Sequence, residues 1–113
     1  VYHELGQIEA ISRRVGKPVL AFLHDVGWPC GRRDMYYAPE QIPAEYRHPH
    51  SFDAGAVLDR PALVEGRGFR GGGLAAFANV SGGARNGVMT AIDDFLAEQL
   101  AQGREFGFAE IPA

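Results

Sequence analysis

The sequence predicts an open α/β fold with a parallel sheet, on three observations. Residues 18–25 carry Val19-Leu20-Ala21-Phe22-Leu23-His24-Asp25, an apolar run without polar alternation, as in strands buried on both faces of a parallel sheet. A helical pattern leads into that run through a tight connection. A second helical pattern, followed by a short alternating run, repeats the helix-then-strand order near the other end of the chain.

The first helix is expected over residues 1–15, where Leu5, Ile8, Ile11 and Val15 recur at three- and four-residue spacing. Gly16 is placed to cap it and Lys17-Pro18 to end it. The central strand is expected over 18–25, and Val26-Gly27-Trp28-Pro29 stops it. A second helix is expected over 86–101, opening at Asn86-Gly87, with Val88, Ile92, Phe95, Leu96 and Leu100 on one stripe and Gly103 at its end. Asp93 and Asp94 fall on or beside its polar face. Phe106 and Phe108 alternate within 105–111, which reads as a short strand.

Residues 26–85 show little periodicity and hold Pro29, Pro39, Pro43, Pro49 and Pro61 ahead of a glycine-dense stretch. A loop of that length is expected to be a lid or disordered. Only short helical turns are expected in it, around Pro39–Ile42 and Pro43–Arg47. Gly66-Arg67-Gly68-Phe69-Arg70-Gly71-Gly72-Gly73 could cradle a phosphate through its backbone N–H groups, but it fits neither a P-loop nor a strand-Gly-x-Gly-x-x-Gly-helix unit, which favours a lid hinge.

The 113 residues suit one domain or part of one, with 46% hydrophobic and 22% charged residues. A net charge of −3 argues against a general nucleic-acid binder, which needs a basic face. The longest run of large apolar residues falls far short of the about 20 needed to span a bilayer. One cysteine, Cys30, makes no internal disulfide, and a reducing cytoplasm is the expected compartment.

In open α/β sheets ligands sit beyond the carboxyl ends of the strands. His24 and Asp25 would emerge there, as proton-transfer or metal-binding groups or as ordinary turn residues. His48-Pro49-His50 offers two imidazoles, although the proline favours an extended geometry that parts the rings. Ser81 lacks a Gly-x-Ser-x-Gly context and Cys30 has no base partner in sequence, so nucleophilic hydrolysis has little support.

Four separated blocks together resemble a bacterial branch of the class I S-adenosylmethionine-dependent methyltransferases. They are Phe22-Leu23-His24-Asp25-Val26-Gly27-Trp28-Pro29, Arg32-Arg33-Asp34-Met35-Tyr36-Tyr37, Ile42-Pro43-Ala44-Glu45-Tyr46-Arg47, and residues 82–95, Gly-Gly-Ala-Arg-Asn-Gly-Val-Met-Thr-Ala-Ile-Asp-Asp-Phe. The resemblance implies that the chain is the C-terminal part of one methyltransferase domain. It implies a partial Rossmann-like sheet with flanking helices and a long irregular lid insertion. Residues 18–25 would be the fifth strand and 105–111 the start of the sixth. The cofactor-binding residues would lie mostly upstream of Val1, and the truncated chain alone would be inactive.

The same resemblance implies O-methyl transfer to a small-molecule or sugar hydroxyl. His24 would serve as base, or Asp25 would hold Mg²⁺ as its relatives' strand-end aspartate does. In those metal-dependent relatives an Asn or Asp commonly follows that aspartate, whereas Val26 follows here. Trp28, Arg32, Arg33, Asp34, Tyr36 and Tyr37 would shape the acceptor pocket. The Arg-Arg pair and the two tyrosines serve equally as solvated surface and as packing on Trp28. An open parallel edge and an uncovered sheet face predict a chain that is unstable or a homo-oligomer when alone. Two other classes remain open, a non-catalytic interaction module and a metal-dependent hydrolase using His24 and Asp25 with His48 and His50.

Overall fold

In the computed structural model, which describes residues 1–111, both helices form where the apolar spacing places them. Helix α1 spans Tyr2–Val15 and α2 spans Val88–Ala101. α1 stops at Gly16, whose left-handed φ of 68° lets its N–H reach the Ser12 carbonyl. α2 starts two residues after Asn86, because the Asn86 side chain is engaged elsewhere and Gly87 has a φ of 96°, outside the helical range. It ends at Ala101, Gly103 follows with a left-handed φ of 77°, and the Arg104 N–H closes on the Gln99 carbonyl at 2.9 Å.

The chain divides into two compact units, residues 1–20 with 91–111 and residues 21–90. In the first, Leu5, Ile92 and Phe95 are buried, and Phe106 packs edge-on against Phe95 with centroids 5.4 Å apart. Glu9 is also buried, and receives Arg13 at 3.0 Å and Arg104 at 3.3 Å. The Arg13 hydrogen bond outweighs desolvation, and with the charge of Arg104 it holds the Glu9 carboxyl below its ordinary range. Arg104 also donates to Gln99 Oε1 at 2.6 Å, so one guanidinium serves two buried acceptors.

The parallel sheet does not form. Residues 17–26 carry no regular secondary structure, and Leu20 and Phe22 are each 78% exposed. Residues 105–111 also form no strand. The reason is that a strand needs a neighbour for its N–H and C=O groups, and no described strand pairs with either segment. An apolar run encodes a demand for cover without naming what provides it.

The fold is instead mixed α/β with two small antiparallel sheets, both inside the segment expected to be an irregular lid. Strands β1 (Met35–Tyr36), β2 (His50–Ser51) and β5 (Ala76–Ala78) form one sheet in the order β1-β5-β2. Its register pairs Met35 with Phe77 and His50 with Ala78. β3 (Ala54–Gly55) pairs with β4 (Val64–Glu65) in the other sheet. Strands of two or three residues are too short to display a period of two, so the sequence shows no trace of them. The expected helical turns do form, as 3₁₀ turns at Pro39–Gln41 and Ala44–Tyr46.

The core of the second unit is β5, whose Ala76, Phe77 and Ala78 are fully buried. Phe69 meets Phe77 edge-on at 5.9 Å and Trp28 at 6.1 Å, so an aromatic row runs outward from the core. Trp28 therefore packs on Phe69 rather than receiving Tyr36 and Tyr37.

Candidate functional site

A buried polar lock sets the shape of the second unit. Asn86 accepts from the Asp34 N–H at 2.7 Å and donates to the carbonyls of Val80 at 2.8 Å and Gly82 at 2.9 Å. The Asp34 carboxylate accepts from the Gly87 N–H at 2.8 Å and the Tyr36 hydroxyl at 3.0 Å. The next two N–H groups at the start of α2, from Val88 and Met89, donate to the carbonyls of Cys30 and Gly31. The orphan donors of a helix N-terminus are thus taken up by the turn at 27–31 and by one carboxylate. Gly87 is required there, since a Cβ would fall on the Arg33 nitrogen and the Gly31 carbonyl.

Burial lowers the Arg33 pKa from its ordinary value, yet the side chain stays satisfied, donating to the carbonyls of Ala78 and Pro61. Those two carbonyls join β5 to the segment 57–61. That segment is tied at both ends, by Ala56 bridging Phe69 and by Ala62 bridging Val80. The Ser81 N–H adds a bond to the Pro61 carbonyl at 2.9 Å.

Between this wall and the turn at 26–33 lies a cleft of about 360 Å³. Trp28, Pro29, Val57, Leu58 and Met89 give it apolar surface, while Arg32, Arg33, Asp59, Arg60 and Ser81 give it polar groups. An apolar lining with a few polar groups, near the lower end of ligand-site volumes, is the usual form of a small-molecule site. The wall is held by backbone bonds and by Arg33, so the cleft is preformed within this unit.

The expected site residues separate into three sets. Trp28, Arg32 and Arg33 line the cleft, with Arg32 donating to the Thr90 hydroxyl at 3.2 Å. Asp34 and Tyr36 belong to the internal lock, and Tyr37 is exposed, with none of these three in the lining. His24 and Asp25 directly precede the first lining residue, Val26, and face solvent. His24 Nδ1 lies 3.2 Å from Asp25 Oδ2, and because a carboxylate only accepts, Nδ1 is the donor in that contact. Val57, Leu58, Asp59, Arg60, Ser81 and Met89 were not singled out as site residues by sequence reasoning. No periodicity or motif links positions so far apart; the ties at Pro61, the bridges of Ala56 and Ala62, and the Met89 N–H on the Gly31 carbonyl bring them together.

Among the described residues no three His, Cys, Asp or Glu side chains come together to hold a metal ion. His48 Nε2 donates to the Arg85 carbonyl at 2.9 Å and His50 Nδ1 to that of His48 at 2.9 Å, so one nitrogen of each ring is engaged. Burial, with the nearby charge of Asp25, raises the Cys30 pKa and keeps the thiol protonated, which suits packing rather than attack.

No family model, curated protein or solved structure matches this chain. Among the described residues no helix is long and apolar enough to cross a membrane.

Proposed function

We propose that the chain is the acceptor-side part of a class I S-adenosylmethionine-dependent methyltransferase that transfers a methyl group to a hydroxyl of a small molecule. The observation that carries this reading is the convergence of Trp28, Arg32 and Arg33 on one cleft that begins one residue after His24-Asp25. Three of the four family-like blocks thereby acquire a division of labour. The His-Asp block supplies a base, the Arg-Arg block a pocket wall, and the Asn86-Gly87 block the lock that holds Asp34 beside that wall.

The cofactor would supply an electrophilic methyl group on a positively charged sulfur. A cleft lined by the guanidiniums of Arg33 and Arg60 disfavours that cation, so the residues present do not fit the cofactor, and its site is assigned outside them. The work of this chain is to bind the acceptor and take its proton. His24 Nε2 is the acceptor of that proton, and Asp25 keeps the imidazole in the required tautomer. The finer fold that goes with this reading is a Rossmann-like sheet in which 18–25 is an inner strand, consistent with the exposed Leu20 and Phe22.

The test is calorimetric titration of S-adenosylmethionine into this chain and into a longer polypeptide containing it, together with transfer of a labelled methyl group. Binding and transfer by the longer polypeptide alone are expected. There, His24→Ala should lower turnover by about 10²-fold or more while leaving cofactor affinity within about twofold. Absence of cofactor binding by a folded longer polypeptide overturns the reading.

A further inference from the structure

The chemistry of the cleft goes further than a generic acceptor. We infer that it binds a small molecule carrying a flat ring and an oxyanion, a carboxylate or a phosphate. This rests on the methyltransferase reading only in treating that molecule as the acceptor.

Charge carries the first half of the argument. The guanidiniums of Arg33 and Arg60 line the cleft beside the one carboxylate of the lining, Asp59, in a chain whose net charge is −3. A local excess of positive charge in an acidic chain is a site-specific feature, and it lies in a cleft that concentrates its field. Arg33 has its donors on the carbonyls of Ala78 and Pro61, yet its charge remains in the wall. Arg60 differs. It is exposed, and among the described residues no hydrogen bond or ion pair holds it. Its guanidinium presents a planar fork of donors, the geometry that pairs with carboxylate and phosphate oxygens.

Shape carries the second half. The indole of Trp28 is 53% exposed although its contact with Phe69 fixes the ring at an interplanar angle of 65°. Pro29, Val57, Leu58 and Met89 add apolar surface to the same lining. A fixed, half-open indole beside aliphatic walls favours a flat apolar body, and the thioether of Met89 adapts to its outline.

Trp28 is the only tryptophan of the chain, so its fluorescence reports the cleft directly. The 113-residue chain is titrated with benzoate, phenyl phosphate, benzyl alcohol and inorganic phosphate, with correction for absorption by the probes. Benzoate or phenyl phosphate is expected to change the emission saturably and at least about tenfold more tightly than benzyl alcohol or inorganic phosphate. The stronger of the two names the anion. Arg60→Gln should remove that preference, Arg60→Lys should keep part of it, and Arg14→Gln on the exposed face of α1 should leave it intact, all with unchanged circular dichroism.

The inference is overturned if benzyl alcohol binds as tightly as benzoate and phenyl phosphate, if inorganic phosphate alone matches them, if no probe changes the emission, or if Arg60→Gln retains the preference. Methyl transfer to a neutral acceptor, with no anion preference here, removes this inference and leaves the transferase reading standing. An anion preference here, with no cofactor binding by the longer polypeptide, does the reverse.

Discussion

Tyr36 shows how a residue chosen for ligand binding becomes an internal one. Its hydroxyl donates to Asp34 Oδ2 at 3.0 Å and accepts from the His48 N–H at 2.8 Å. Burial, reinforced by the charge of Asp34, pushes its pKa from 10.0 up to about 12. The folded state therefore favours the neutral phenol. Its contribution to stability is complete below pH 10 and is lost as pH rises from there through about 12. Absorbance titration should show one of the four tyrosines ionising only near 12 or on unfolding. A Tyr36→Phe chain that keeps the late step would contradict the assignment. Arg33 and Asp34 teach the same lesson. A charged side chain in sequence marks a charge that needs partners, and the carbonyls of Ala78 and Pro61 that satisfy Arg33 lie 45 and 28 positions away. Trp28 and Arg32 were legible as cleft residues because they share one turn; Arg60 was not, because only folding brings it to them.

Helices were legible and strands were not, for reasons of length. Fourteen residues of α1 and of α2 give three or four turns in which apolar spacing repeats, and Gly16 and Gly103 mark the ends. The two- and three-residue strands draw their stability from Phe77 and its neighbours, which no local pattern announces. Two glycine substitutions separate local propensity from tertiary fit. Gly6 lies inside α1 with open space where a Cβ would stand, so Gly6→Ala should stabilise the chain by about 0.5–1 kcal/mol. Gly87 combines positive φ with a Cβ position occupied by backbone of the 31–33 turn, so Gly87→Ala should cost about 2–4 kcal/mol. Urea unfolding of both variants checks the pair. A neutral Gly87→Ala would mean that α2 is not held on the turn at 27–31 through the Asp34 lock.

At the scale of the whole molecule, the segment 18–25 sets amino-acid content against environment. Leu20 and Phe22 are large, apolar and mostly exposed, in a stretch with no ladder partner among the described residues. Exposed substitutions away from special features shift stability by no more than about 0.5 kcal/mol. Leu20→Ser with Phe22→Ser should therefore leave the unfolding midpoint of this chain almost unchanged and weaken any self-association, which sedimentation at rising concentration measures. In the longer polypeptide the proposed function calls for, the same two side chains would be covered as part of an inner strand. Burial of a Leu or Phe side chain is worth about 1.5–3 kcal/mol, so the double change should there cost about 3–6 kcal/mol. The two measurements discriminate cleanly. A large loss in the 113-residue chain would mean that the run is already packed in it, and a negligible loss in the longer polypeptide would mean that no sheet covers it, which removes the fifth-strand assignment.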